Sequence, residues 1–141
     1  MSTLAIAVTA LIAALAAATV VGVAVNRRSG VLRETTPEAP TPDLGLSQTD
    51  PTVVHFSAAW CGPCAAVRRV IEQVCADLPG VSHVEIDIDA DPAAARELSV
   101  LSLPTTFVFD AQGRQRYRST GVPKAADLKA VLRSLDPSGH D

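Results

Sequence analysis

The amino-acid sequence predicts an α/β fold: a sandwich with a central mixed sheet flanked by helices, preceded by one helix long enough to cross a membrane. Three observations carry this. Leu4 to Val25 is an uncharged apolar run. Thr52 to Leu135 alternates two-residue and 3.6-residue hydrophobic periods in the order strand, helix, strand, helix, hairpin, helix. Trp60-Cys61-Gly62-Pro63-Cys64 stands at the first strand-to-helix junction. At 141 residues the chain suits one domain plus an appendage. Its formal net charge of −3, with both signs interspersed, argues against nucleic acid as a partner. Three cysteines are too few for a disulfide scaffold and fit redox or metal chemistry better.

The first element is the apolar run, residues 4–25, in which Thr9 and Thr19 are the polar residues. As a helix it reaches roughly 33 Å, against a hydrocarbon core of about 30 Å, which predicts a single transmembrane span. No Lys or Arg precedes it, as a signal peptide would require, and apolar sequence continues past the Ala16-Ala17-Ala18 cleavage-like triplet. An uncleaved anchor is therefore expected. Arg27, Arg28 and Arg33 flank its C-terminal end, so the positive-inside bias places the following domain in the cytoplasm. An exported domain is the alternative.

Residues 26–50 read as a linker. Pro37, Pro40 and Pro42 interrupt them, and proline removes a donor and biases its predecessor to extended geometry. Val31-Leu32-Arg33 is a short edge-strand candidate, and the rest reads as a tether. The folded domain is expected over 51–136, followed by a polar tail, 137–141.

Within the domain, Thr52–Ser57 is a β-branched buried strand. Val67, Val70, Ile71, Val74, Cys75 and Leu78 recur at three- and four-residue steps, the apolar face of a helix from Ala65 that Pro79-Gly80 stops. Val84, Ile86 and Ile88 alternate with Glu85, Asp87 and Asp89, a half-buried strand, and His83 reads as part of the loop before it. Pro92 opens a short helix. Phe107-Val108-Phe109 is a strand, turned back through Asp110 to Gly113 into Arg114–Ser119. A last helix from Lys124 carries Leu128, Val131, Leu132 and Leu135 on one side.

Cys61-Gly62-Pro63-Cys64 at a strand-to-helix junction is a redox motif. Together with Leu103-Pro104-Thr105, Gly113 and Gly121, it resembles the thioredoxin family over Pro51 to Leu135. The resemblance implies a thioredoxin-like fold, a cis Pro104 beside a redox-active disulfide, and thiol–disulfide exchange. Cys61 would be the attacking thiol, its thiolate favoured by the helix N-terminus, and Cys64 the resolving thiol. Gly62-Pro63 sets the turn and in the family accompanies a reducing potential, which makes a reductase of protein disulfides the expected activity. Trp60, Gly62, Pro63, Leu103 and Pro104 would form the client-binding surface. The partners implied are protein disulfides, an upstream thiol reductant and the membrane. No cofactor and no metal is expected.

Three positions depart from the family. His55 replaces its buried Asp, Glu85 replaces the partner-strand Lys, and Arg69 stands where a proline usually kinks the long helix. His55 is a candidate proton acceptor for Cys64, with Glu85 as its orienter. The competing reading is a half-exposed edge-strand histidine beside a solvated Glu85. Cys75 lies about 16 Å along the helix from Cys64, too far for a disulfide, and reads as a small buried hydrophobe. His83 and His140 lack the spacing of metal partners. A zinc module would need two more ligands for the Cys pair. A non-catalytic adaptor at the membrane is the other function class.

Overall fold

A computed structural model describes residues 2–36 and 43–136 of the chain; the polar tail with His140 and the prolines Pro37, Pro40 and Pro42 lie outside them. The helix α1 spans Thr3–Arg28 and none of its residues is buried. Its mean hydropathy is 2.6 in the most apolar window, so by length and composition it can cross a membrane. Thr9 and Thr19 turn their hydroxyls onto backbone carbonyls of the preceding turn, Ala5, Ile6 and Leu15, which hides their polarity inside the helix.

Among the described residues five strands form one mixed sheet. They are β1 (Arg33–Glu34), β2 (Thr52–Ser57), β3 (Ser82–Asp87), β4 (Thr105–Phe109) and β5 (Gln115–Thr120), in the spatial order β1-β5-β4-β2-β3. Strands β2 and β3 are parallel and the other pairs antiparallel. The long helix α2 (Cys64–Asp77) and the last helix α4 (Ala125–Leu135) cover one face; Val53 and Val108 meet Val67, Ile71, Val74, Leu128 and Leu132 there. The other face packs Val54, Phe56, Phe107 and Phe109 against Ala94 of α3 (Pro92–Glu97). Every residue of β2 is buried because it has a strand on each side and helices on both faces, hence its lack of alternation.

The local signals explain the boundaries. Asp91 caps α3 by accepting from the Ala94 N–H at 3.0 Å, with Pro92 at the first helical position. Asp110, nearly buried, accepts from the backbone N–H groups of Gln112 and Arg114 and pairs with the Arg114 guanidinium, closing the β4–β5 turn around Gly113 at φ +74°. With Arg69 in place of a proline, α2 is one uninterrupted helix.

Composition reads 26–50 as a tether, and the described part of this segment differs. The edge strand exists, one or two residues further on than expected, pairing Arg33 with Arg118 and Glu34 with Tyr117. Gly30 is buried and donates its N–H to the Thr120 carbonyl. Leu44 is buried among Phe56, Phe107 and Phe109. Ser47, Thr49 and Asp50 then hydrogen-bond one another into a turn entering β2. A proline-rich composition excludes a helix there; it does not exclude a two-residue strand or a single anchoring leucine.

Candidate active site

Strand β2 delivers the chain to the Cys pair. Cys61 donates its N–H to the Ala58 carbonyl at 3.0 Å, a tight turn that lifts the motif off the sheet, and Pro63 occupies the N-cap of α2. Cys61 and Cys64 are joined in a disulfide, with Cα atoms 5.5 Å apart. The two sulfurs differ in access. Cys64 is 2% exposed on the inner side of α2, while Cys61 is half-buried and Gly62 and Pro63 are exposed. Cys61 is thus the more accessible of the pair, and it lies at the positive end of the α2 dipole.

Trp60 is 68% exposed, and its indole N–H donates to Asp89 at 3.2 Å, so the ring is held as an outward apolar plate. Asp89, just beyond β3, escapes sequence reasoning as a site residue. The Leu103–Pro104 peptide is cis. Pro104 is buried, Leu103 packs against the Phe56–Phe107–Phe109 cluster, and the Pro104 carbonyl accepts from the Gly121 N–H at 3.0 Å.

Behind the motif lies a polar group that β2 and β3 assemble between them. His55 faces the α2 side with no exposed surface, on an inner strand, which rules out a half-exposed edge-strand histidine. Its Nδ1 is 2.9 Å from Nε2 of His83, with the two rings stacked 5.0 Å apart. His83 is not in a loop; it is the second residue of the β3 ladder, after Ser82, and lies opposite Val53. The strand starts two residues earlier than its apolar alternation suggests, which places His83 and Glu85 on one face. That two-residue spacing, matching His55 and Ser57, is the signal that could have found it.

Glu85 does not hydrogen-bond His55. Its Oε1 lies 3.5 Å from the His55 Nε2, which has no hydrogen-bond partner among the described residues. The carboxylate instead accepts from the Ser57 hydroxyl at 2.8 Å and from Nε and Nη2 of the Arg68 guanidinium on α2. The Arg68 hydrogen bonds hold Glu85 down to a pKa of about 2. Burial pushes the His55 imidazole down to about 4, against the partial support of the Glu85 charge, and burial lowers His83 as well. Both imidazoles are neutral at pH 7. Cys75 is free and partly buried on α2, and burial raises its thiol pKa. Among the described residues no three His, Cys, Asp or Glu side chains are grouped to hold a metal.

Comparison with known proteins is consistent with this geometry. A family model described as Thioredoxin matches residues 43–134. A thioredoxin of Mycolicibacterium smegmatis is 42% identical over 93 residues, covering 64% of this chain and 80% of that one. A bifunctional thioredoxin reductase/thioredoxin of Mycobacterium leprae is 33% identical over 113 residues, covering 79% of this chain but 24% of its own length. Among solved structures, a mutant thioredoxin from Halobacterium salinarum superposes with a TM-score of 0.58 at 31% identity, covering 67% of this chain and 80% of that one.

Proposed function

The chain belongs to the thioredoxin family and is a thiol–disulfide oxidoreductase, and from that premise we propose that it is a membrane-tethered reductase of protein disulfides. The observation that carries the order of attack is the difference in burial between the two sulfurs of the Cys61-Gly62-Pro63-Cys64 motif. In the reduced state the Cys61 thiolate attacks one sulfur of a client disulfide. A Cys61–client bond forms, the client S–S bond breaks, and the departing client thiolate takes a proton. Cys64, deprotonated, then attacks the Cys61 sulfur, forming the Cys61–Cys64 disulfide and releasing the second client thiolate. Two electrons pass to the client, and an upstream dithiol restores the pair; the fused reductase of the M. leprae relative supports a thioredoxin reductase in that role.

Within this reading His55 accepts the Cys64 proton at Nε2. That role requires the tautomer whose Nδ1–H is donated to His83, leaving Nε2 bare, so His83 takes the orienting role first expected of Glu85. Glu85 then acts by charge, facing the imidazolium while the proton resides there. Trp60, Gly62, Pro63, Leu103 and Pro104 receive the client.

The tether reading is supported by α1, which is apolar, unburied and continuous through Ala16–Ala18 into Arg28, with Gly30 beyond it knitted into the fold. A cleavable leader meets the same test of length and composition, but the buried junction favours retention. We place the domain on the cytoplasmic side, on the strength of Arg27, Arg28 and Arg33. The deciding assay is reduction of insulin disulfides by the full chain in detergent with an added dithiol. Turnover that Cys61→Ser abolishes is expected; no turnover would favour a non-catalytic adaptor.

A further inference from the structure

The junction between α1 and the sheet does something that a tether would not. Ser29 donates its N–H back to Asn26 at the end of α1. Gly30 follows at once with φ +79°, buried, its N–H on the Thr120 carbonyl, and a Cβ there would overlap the Val122 carbonyl oxygen. Only glycine fits that approach. Opposite it Gly121, at φ +87°, lies so close that a Cβ would be 3.0 Å from the Ser29 side chain. Three residues after Gly30 the chain has joined the sheet at Arg33. The prolines at 37, 40 and 42 come after β1 in the chain, so they do not separate anchor from sheet.

The seam that receives the anchor also supports the client-binding loop. Thr120 accepts from Gly30, and the next residue, Gly121, donates to Pro104. Gly30, the Thr120–Gly121 segment and Pro104 are thus successive hydrogen-bonded neighbours. At about 4.8 Å per neighbouring chain, the Leu103–Pro104 peptide lies on the order of 10 Å from the backbone leaving α1. Arg27 and Arg28 in the last turn of α1 belong at headgroup level when the helix spans a bilayer.

From this we propose that the domain is clamped to its anchor with the client-binding loop at the membrane surface. Its favoured substrate class is then disulfides in membrane-proximal segments of other membrane-bound chains, over those held far from the bilayer. The proposal rests on the membrane reading above and adds to it a fixed pose: a mobile tether would let the Cys pair serve clients tens of ångströms away, and a clamp does not.

The test uses the full chain reconstituted in phosphatidylcholine–phosphatidylglycerol vesicles, reduced by an added dithiol. The probe is one disulfide-bridged fluorogenic peptide in three forms: free, lipid-linked through a spacer of about two residues, and lipid-linked through about thirty Gly-Ser residues, which place it roughly 30 Å out. At equal surface density the short-spacer peptide should be reduced about tenfold faster than the long-spacer one, an effective-concentration advantage. A flexible Gly-Ser insertion between Arg28 and Ser29 should erase that preference while leaving the free-peptide rate unchanged. Equal rates on both spacers, or a preference that survives the insertion, overturn the clamp and leave the reductase standing. Failure of the protein to float with the vesicles overturns the membrane reading and the clamp together.

Discussion

Cys64 sits in an environment that resists charge: it is 2% exposed, and its sulfur faces the Phe56 carbonyl 4.0 Å away. Under the proposed mechanism the proton of the reduced Cys64 passes to His55, which is buried in the strand leading to the motif. We expect His55→Asn to slow turnover of a disulfide substrate several-fold. The sharper readout is the pH–rate profile: the wild-type limb, rising as pH climbs through the His55 pKa near 4, should vanish in the variant. An unchanged profile would sink the general-base role. The same residue makes stability depend on pH. An unfolded His55 titrates near 6.5 and the folded one near 4, so between those values the unfolded chain binds the extra proton. Stability is full above pH 6.5 and falls as pH drops towards 4, by about 3 kcal/mol for this group. Glu85, depressed by Arg68, adds a further loss only below its unfolded value, and His83 adds to the upper window. Urea midpoints measured across this range should decline less steeply in His55→Asn; parallel curves would contradict the assignment. Much of this group was legible. His55 and Glu85 stand out in the sequence as replacements, but the pairing partner of each, His83 and Arg68, depends on strand register and on which face α2 presents, and neither is written in a local pattern.

At the scale of elements, the informative pieces are those that composition misplaces. The strands β2, β3 and β4 and the helices α2 and α4 are long enough for periodicity to declare them, because each buries a continuous face. Leu44 has no such context: one leucine between a proline-rich stretch and Gly45 carries no period. Yet it is 6% exposed and closes the cluster of Phe56, Phe107 and Phe109. We expect Leu44→Ala to destabilise the domain by about 2–3 kcal/mol, the lower part of the range for a buried leucine because the site lies at the rim of the core and can partly collapse. Chemical denaturation against wild type measures it. A loss within about 0.5 kcal/mol, the level of a surface substitution, would mean that the segment before β2 contributes nothing to the fold. The Arg33–Glu34 strand makes the same point in a second way. Two residues cannot show alternation, and what holds them is the free edge of β5, a partner distant in sequence.

For the whole molecule, the side of the membrane decides which disulfides the Cys pair can meet. Arg27, Arg28 and Arg33 crowd the domain-side end of α1, and the positive-inside bias is what supports the cytoplasmic placement proposed above. A reductase also needs a supply of electrons, which the cytosolic thiol systems provide and an oxidising compartment does not. The two considerations are independent and agree. In intact cells treated with a membrane-impermeant reductant and then a membrane-impermeant maleimide, Cys61 should stay unlabelled, then label once the cells are permeabilised. Cys75 provides an internal contrast, since its burial and raised pKa slow its reaction in either state. Labelling of Cys61 before permeabilisation would put the domain outside. The clamp at Gly30 and Gly121 would still hold the client-binding loop against the bilayer, but against its outer leaflet, where persistent disulfides are common and the electrons must be carried across the membrane. One labelling experiment thus separates a housekeeping reductase of transient cytoplasmic disulfides from an enzyme that needs a transmembrane donor.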